Sequence, residues 1–277
     1  MSLVSHEAKE VQHYREALLK GFDLVRNNGL LLKRDIVAIQ KELEQNDAGV
    51  RRQSGTQLKN ALTGEIVFTP PQDFETIESL LINLEMYINE PNDIDPLVNM
   101  AIIHYQFESI HPYYDGNGRT GRIINILYLV LKELLDIPIL YLSRYIIEHK
   151  ADYYRLLQEV RTKENWEEWV LYMLDGVEQT ALETVELIED IKDFMDKTTD
   201  EVKEKLPKIY SKDLIEILFM QPYTKIDFLV DRLKITRKTA SNYLKQLEDI
   251  NILNSIKLGR NKYFVNIKLF ERLKKGI

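Results

Sequence analysis

The most informative stretch of this sequence is His111-Pro112-Tyr113-Tyr114-Asp115-Gly116-Asn117-Gly118-Arg119-Thr120-Gly121-Arg122. Its Gly-Asn-Gly run, residues 116–118, can turn tightly and direct successive backbone N–H groups into one concavity, an arrangement that binds anions. The run leads into an apolar helix predicted from Arg119 to about Leu135, whose N-terminal dipole also favours negative charge. The stretch therefore predicts a phosphate site at the start of a helix.

Charged and titratable side chains surround this run. Arg119 and Arg122 lie three residues apart, so both guanidinium groups can reach the same side of the helix and bind phosphate oxygens bidentately. Asp115 is a hard oxygen ligand placed to hold a magnesium ion, and His111 could take a proton from an incoming hydroxyl. Each residue alone is also typical of a turn, a helix cap or a solvated surface. Together they indicate a transferase that acts on a polyphosphate.

The segment resembles the signature of the Fic family of protein adenylylation enzymes, His-x-Phe-x-Asp/Glu-Gly-Asn-Gly-Arg-x-x-Arg. One position departs from it, because Tyr113 stands where phenylalanine is usual. We expect Tyr113 to pack into the core as phenylalanine would, provided that its hydroxyl finds a partner. The resemblance covers roughly residues 7 to 195, and it includes Phe107-Glu108-Ser109-Ile110, Tyr153-Tyr154, Trp166-Glu167-Glu168-Trp169 and Thr69-Pro70-Pro71.

The resemblance implies transfer of AMP from ATP to a hydroxyl on a protein side chain. It implies that His111 deprotonates that hydroxyl, that Asp115 holds Mg²⁺, and that Arg119 and Arg122 neutralise the charge on the departing pyrophosphate. Asn117 would help to fix the α-phosphate. The expected catalytic residues are His111, Arg119 and Arg122, and the expected ATP-binding residues are Gly116, Asn117, Gly118, Arg119, Arg122, Tyr153 and Tyr154.

Two further segments have expected roles in this reading. Residues 58–68 contain Ile66, Val67 and Phe68 between turn residues and predict a β-hairpin flap. The flap would dock a segment of the target protein by strand addition. Tyr153 and Tyr154 are candidates for the adenosine pocket, although an aromatic pair on an apolar helix is also typical of a packed core.

One feature of many family members is not found in these 277 residues. This is the inhibitory helix with Ser/Thr-x-x-x-Glu-Gly/Asn, whose glutamate pairs with the second motif arginine, here Arg122. We therefore expect ATP to bind without that restraint. Either the natural chain is longer and carries the inhibitory helix, or inhibition has another source.

Composition excludes several classes of protein. The chain has 44% hydrophobic and 29% charged residues, which argues against disordered and low-complexity classes. It has no cysteine, which excludes a disulfide framework, thiolate zinc sites and a cysteine nucleophile. The longest apolar stretch, Ile123 to Leu131, is too short for a membrane span, and no signal peptide is recognisable. We therefore expect a cytoplasmic protein that does not enter a membrane.

Charge divides the chain in two. Residues 1–208 carry 23 Lys and Arg against 37 Asp and Glu, whereas residues 209–277 carry 14 against 7. We predict a mainly α protein with a Fic-type helical core and flap over residues 1–195, a linker over 196–208 and a winged helix-turn-helix domain over 209–277. The basic tail on an acidic body suggests different partners for the two parts.

The tail shows three helical segments and then a short hairpin, an order that resembles the winged helix-turn-helix family. DNA contacts are expected from Arg237, Lys238, Asn242 and Lys245 in a major groove, and from Arg260 on the wing. A winged helix that binds protein instead is the alternative for this domain.

Several functional alternatives stay open at this stage. One is a phosphotransferase of the related Doc type, although Doc-type sequences carry lysine at the position of Gly118. Another is hydrolytic removal of AMP, and a third is a non-catalytic regulator that senses nucleotide and binds DNA. The partners under consideration are ATP, a target protein on the flap, DNA, and a second copy of the chain in a homodimer.

Overall fold

The computed structural model describes residues 6–60, 63–259 and 261–275 of the chain. The chain divides into two compact units, Met1–Thr180 and Ala181–Ile277. Most described residues are helical, which confirms the prediction of a mainly α protein.

The first unit is built from helices and one short hairpin. The helices are α1 (His6–Asn28), α2 (Lys33–Glu44), α3 (Phe74–Asn89), α4 (Pro96–Ile110), α5 (Asn117–Leu131), α6 (Leu142–Glu148), α7 (Lys150–Lys163) and the first part of α8 (Trp166–Lys205). Helix α5 packs against α1, α2 and α4, and nearly all of its residues from Ile123 to Val130 are buried. The site described below therefore begins on the most enclosed helix of the unit.

The two helices that flank residues 111–116 begin and end at residues suited to that role. Helix α4 starts after Asp95, whose carboxylate accepts a hydrogen bond from Leu97 N at 2.8 Å, with Pro96 in its first turn. It ends at His111, whose backbone is left-handed with φ of 49°. Helix α5 follows Gly116, which is also left-handed with φ of 79°. Two left-handed residues therefore bound the turn between α4 and α5.

Close approach of α4 and α5 depends on a glycine. A Cβ atom at Gly121 would lie 2.7 Å from Glu108 Oε1 and 3.2 Å from the Phe107 ring, so any larger residue would force the helices apart. This contact places the first turns of α5 directly against the last turns of α4.

The predicted flap is a two-stranded antiparallel hairpin of β1 (Leu58–Lys59) and β2 (Ile66–Phe68). Residues 61 and 62 of the predicted segment lie outside the described residues. Ile66 and Val67 are exposed, so the apolar side chains of β2 face outward rather than into the core.

The second unit includes the segment that the sequence predicted to be a linker. Helix α8 continues to Lys205, and Phe194, Thr198 and Val202 are buried along it at intervals of four residues. Val202 packs with Ile209 in the core of this unit. The prediction of a linker over 196–208 is therefore corrected to helix for most of its length, because its charged residues occupy only the outer face of that helix.

The remaining elements are α9 (Lys212–Met220), β3 (Tyr223–Thr224), α10 (Ile226–Leu233), α11 (Arg237–Asp249), β4 (Asn254–Leu258), β5 (Asn261–Val265) and α12 (Ile267–Lys275). The strands form an antiparallel sheet in the order β3-β5-β4. Thr236 caps α11 by accepting a hydrogen bond from Thr239 N. Leu214, Leu229, Leu244, Leu247 and Phe264 fill the core between these elements.

Within the described part of the chain, no helix is both long enough and apolar enough to cross a bilayer.

Candidate active site

His111 lies at the end of α4 and is partly buried. Its backbone N–H donates to Phe107 O at 3.0 Å, and its left-handed conformation turns the chain away from the helix axis. Burial, together with the charges of Arg51 and Arg161, lowers the pKa of His111 to about 4. The imidazole is therefore neutral at pH 7 and can accept a proton.

The turn after His111 leads into the start of α5 as the sequence predicted, but the Asn117 side chain has a different role from the expected one. Its amide group donates to Tyr113 O at 2.8 Å, and its oxygen accepts from Tyr113 N at 2.9 Å. The oxygen and the nitrogen of the Asn117 amide group thus both bind the backbone of Tyr113 and stabilise the loop. Asn117 can therefore contribute to an anion site through its backbone N–H, one of the first N–H groups of α5 that lack an acceptor within the helix.

Tyr113 packs in the core where the family signature has phenylalanine. Its side chain is fully buried, and its ring centre lies 6.2 Å from that of Phe107. Among the described residues its hydroxyl has no hydrogen-bond partner, so the expected partner is not found. Burial accordingly raises the pKa of Tyr113 well above its usual value.

Arg122 faces the buried Glu108, whose pKa burial raises to about 7 against the opposing effect of the charges of Arg122 and Arg161. Its Nε atom donates to Ser143 Oγ on α6 at 2.9 Å, and Ser143 is itself buried. In the described ranges no acidic side chain forms a salt bridge with Arg122. The guanidinium is thus oriented by a neutral hydroxyl and keeps its charge available for an anion.

Arg119 lies among carboxylates instead. It contacts Glu10 on α1, bonds Glu44 at the end of α2 at 2.8 Å, and lies 3.9 Å from Asp115. Glu44 also lies against Gly116, where a Cβ atom would come within 2.3 Å of Glu44 Oε1. Desolvation raises the pKa of Glu44, which the charge of Arg119 partly offsets. Arg119 is therefore charge-compensated before any phosphate arrives.

Asp115, the predicted metal ligand, is exposed at the mouth of the loop. Its Oδ1 accepts a hydrogen bond from Gly116 N at 2.7 Å, and its side chain is 79% exposed. No group of three or more His, Asp or Glu side chains suited to a metal ion occurs among the described residues. A single carboxylate still fits Mg²⁺, which keeps several waters and binds substrate phosphates.

The two tyrosines predicted for the adenosine pocket occupy different environments. Tyr153 is 5% exposed, and its hydroxyl is 2.9 Å from Nε2 of the fully buried His104. The Nδ1 atom of His104 is 3.0 Å from the Asn125 amide, so the three side chains form one buried chain of hydrogen bonds. Tyr154 is 56% exposed. Tyr153 therefore belongs to the core, and Tyr154 is the member of the pair that a ligand could reach.

We expect Tyr153→Phe to lower the free energy of unfolding by about 1–2 kcal/mol, because it leaves His104 without its hydroxyl partner in a buried position. The Kd for ATP should stay within twofold of the wild-type value. Thermal or urea unfolding and calorimetric titration measure the two quantities. A large loss of ATP affinity at unchanged stability would contradict the structural role of Tyr153.

Sequence reasoning missed several residues of the site because they are remote along the chain. Arg51 reaches His111, Glu44 reaches Arg119, Ser143 reaches Arg122, and Arg161 bonds Ser109 at 3.4 Å. None of them lies in a recognisable local motif. The surplus of acidic residues in this part of the chain was the only sequence signal that pointed towards partners for the arginines.

In the second unit, α11 presents one exposed polar face. Arg237, Lys238, Asn242 and Lys245 are all exposed on it. Arg237 is paired with Asp227 on α10, which offsets part of the positive charge. On the hairpin, Lys257 lies directly opposite Lys262 across the strands. Arg260, the residue predicted to reach DNA from the wing, lies outside the described residues.

Two family descriptions match the chain. Residues 30–129 match the Fic/DOC family, and residues 194–269 match the C-terminal domain of SoFic-like protein adenylyltransferases. The first match contains the whole segment from His111 to Arg122, and the second contains α9 to β5. The chain therefore contains a Fic/DOC domain and a SoFic-like C-terminal domain, as the sequence resemblance indicated.

Individual relatives agree with this assignment over limited segments. A probable protein adenylyltransferase of Aquifex aeolicus is 34% identical over 79 residues, and protein adenylyltransferase fic-1 of Caenorhabditis elegans is 33% identical over 92 residues. These segments are 28% and 32% of this chain. They cover 24% and 17% of the relatives' own lengths, so the chain spans only a small part of each relative that it matches.

Solved structures show the same fold. A Fic family protein from Desulfovibrio desulfuricans G20 superposes with a TM-score of 0.58 at 21% identity, over 95% of this chain and 77% of that one. Fic-1 of C. elegans, residues 134–508, gives a TM-score of 0.51 at 23% identity, over 69% of this chain and 54% of that one.

Proposed function

We propose that this chain is a protein adenylyltransferase that transfers AMP from ATP to a hydroxyl of a protein side chain. The observation that carries the proposal is a neutral, partly buried His111 that precedes a helix start with Arg122, an arginine that forms no salt bridge among the described residues. A neutral imidazole accepts the hydroxyl proton as the oxygen attacks the α-phosphate, and the pair forms a base next to an anion site. The names of the relatives, all protein adenylyltransferases, support the same reaction.

In the proposed reaction the hydroxyl oxygen bonds to the α-phosphorus of ATP, and the bond from that phosphorus to the bridging oxygen breaks. Pyrophosphate leaves with the negative charge, and His111 holds the proton. Arg122 and the first N–H groups of α5 stabilise the developing charge. Asp115 is the residue that would hold Mg²⁺, which when bound neutralises phosphate charge.

The flap is the proposed docking site for the target segment. Strand β2 pairs with β1 on one side only within the described hairpin, and its Ile66 and Val67 are exposed. An extended segment could therefore add its backbone hydrogen bonds to the hairpin and place its hydroxyl near His111.

The test is a transfer assay with ATP labelled at the α-phosphate or at the γ-phosphate, using wild-type and His111→Ala protein. Label from the α position that requires His111 supports adenylylation. Label from the γ position would replace the proposal by a Doc-like kinase. Binding of ATP without transfer of either label would favour a nucleotide-sensing regulator, and release of AMP from a premodified target would favour the hydrolytic alternative.

We expect Glu44→Gln to strengthen ATP binding about two- to fivefold, because it removes a negative charge beside Gly116 and leaves Arg119 with more positive charge for the phosphates. Calorimetric titration with ATP and Mg²⁺ measures the effect. Glu42→Gln is the matched control on the same helix, since Glu42 pairs with Lys20 rather than with Arg119. Equal ATP affinity of the two variants would contradict this expectation.

For the C-terminal unit we propose a winged helix that binds DNA through α11 and the hairpin. The charge of +7 on residues 209–277 and the polar exposed face of α11 support this reading, because a basic surface attracts the phosphate backbone of DNA. A domain that binds protein through the same surface is the alternative.

DNA binding is tested by fluorescence anisotropy with mixed-sequence duplex at several salt concentrations. Lys245→Gln and Lys238→Gln should each weaken binding and lower the salt dependence by about one counterion. Lys208→Gln is a control outside α11 and the hairpin. Binding that is absent at 50 mM salt, or equal in all three variants, would favour a protein partner.

The proposal also includes a cytoplasmic location and a homodimer. A cytoplasmic site of action fits an enzyme that consumes ATP, and cell fractionation would test it. A homodimer is tested by sedimentation of the full chain over a range of concentrations.

A further inference from the structure

Arg51 is a fully buried arginine in the first unit. Its relative exposure is 0%, which is rare for arginine unless its charge is compensated. Within the described residues no carboxylate forms a salt bridge with it. The compensation must therefore come from other polar groups around the guanidinium.

Backbone carbonyls bind two of the three guanidinium nitrogens, whereas Nη1 is buried without a hydrogen-bond partner among the described residues. Arg51 Nε donates to His111 O at 2.8 Å, and its Nη2 donates to Pro71 O. The backbone N–H of Arg51 also donates to Pro112 O at 2.9 Å. The planar guanidinium thus spans two carbonyls from segments that are far apart in sequence.

The first of these carbonyls belongs to the end of α4. The C-terminal carbonyls of a helix carry partial negative charge and lack N–H donors within the helix, so a cation that donates to them is favourable. His111 is left-handed at this position. Arg51 therefore stabilises the backbone conformation that turns the His111 side chain out of the helix.

The second carbonyl, Pro71 O, lies just after the flap. Pro71 follows β2 by three residues, and Phe68 at the end of β2 lies under the guanidinium of Arg161 at 3.8 Å. Arg161 also bonds Ser109, two residues before His111. Arg51 and Arg161 therefore each contact both the flap region and the end of α4. Only Arg51 forms a hydrogen bond with the His111 backbone itself.

We propose that Arg51 is a positioning residue that fixes the His111 peptide relative to the flap, and thereby the base relative to the docked hydroxyl. This inference rests on the proposed function for its kinetic consequence. Its geometric content, that Arg51 sets the position and surroundings of His111, can be tested without any transfer activity.

The charge of Arg51 adds a second consequence. The charged groups that face His111 are Arg51, Arg161 and Asp115. The two arginines favour the neutral imidazole, whereas Asp115 favours the protonated form. Removing the charge of Arg51 should therefore raise the pKa of His111. A variant that keeps the positive charge but cannot donate to both carbonyls should leave that pKa low.

Two variants separate geometry from charge, and a neighbour supplies the control. Arg51→Lys keeps the charge but cannot donate to two diverging carbonyls, and Arg51→Met loses both. Arg52→Met removes a charge from the next residue, which is exposed and lies over the Phe74 ring at 4.0 Å. Thermal unfolding of all three proteins shows which of them are folded.

The first measurement is the kinetics of AMP transfer from α-labelled ATP. Arg51→Lys should lower kcat between tenfold and a hundredfold, because a small displacement of a base is costly, while the KM for ATP stays within twofold. Arg52→Met should leave both constants within twofold of wild type. Equal kcat in Arg51→Lys and Arg52→Met would overturn the proposal, as would a loss confined to the KM for ATP.

The second measurement is the titration of the His111 ring by NMR, assigned with a His111→Asn protein. Arg51→Met should raise the pKa of His111 above the wild-type value, and Arg51→Lys should leave it low. The same pKa in Arg51→Met and Arg52→Met would overturn the proposal. This arm does not need ATP, so a wild-type protein without transfer activity would refute the proposed function while the titration still decides the role of Arg51.

Discussion

Replacing His111 with alanine should lower the rate of AMP transfer by about 10³-fold. A positioned general base contributes about 10²–10⁴ to a rate, and no other base lies at the same position on the loop. His104 cannot substitute, because it is fully buried and both of its ring nitrogens have partners. Incorporation of α-label into a target protein measures the loss.

The control for this variant is His149→Ala, which removes an imidazole that contacts Tyr145 instead of the loop. That protein should keep transfer within a few-fold of wild type. ATP binding should survive in His111→Ala, because the phosphate groups bind at the start of α5. Full transfer activity of a folded His111→Ala protein would refute the catalytic assignment.

Replacing Arg122 with alanine should abolish measurable transfer, a loss of about 10³-fold or more. Its guanidinium is the motif cation that forms no salt bridge among the described residues, so it can stabilise the charge that develops in the transition state. Ser143 orients it through the 2.9 Å bond to Nε, which leaves the other guanidinium nitrogens for the phosphates. Single-turnover transfer at saturating ATP separates this effect from weaker binding.

Arg119→Ala is the matched comparison in the same helix turn. Because Glu10 and Glu44 already compensate Arg119, its removal should cost only about tenfold in rate. The sequence alone predicted equal roles for the two arginines. A loss for Arg119→Ala as large as that for Arg122→Ala would show that the carboxylates release Arg119 when ATP binds.

The fold could be predicted from the sequence wherever a local pattern was strong. Asp95 caps α4 and Pro96 lies in its first turn, a local signal that the sequence shows directly. The error over residues 196–208 has a physical cause. A helix that buries one residue in four has a mostly charged sequence, and this composition is shared with a linker.

The site could be predicted only in part. The spacing from His111 to Arg122 predicts an anion site at the start of α5, and the binding and transfer experiments test that prediction. The separate environments of Tyr153 and Tyr154 were not predictable, because adjacent residues on a helix point in different directions and only packing decides which is covered. The Tyr113 hydroxyl likewise has no partner among the described residues, which its neighbours in sequence could not reveal.

The sequence by itself determined the class of protein and the glycine-containing loop before α5, because these depend on twelve consecutive residues and on the backbone preferences of glycine and of a helix start. The tertiary structure decided which groups are charged, compensated and held in place. His111 and Arg51 are 60 positions apart, and Arg119 and Glu44 are 75 apart. Contacts over such separations exist only because α1, α2 and the flap segment pack against α4 and α5, and no local pattern encodes that packing.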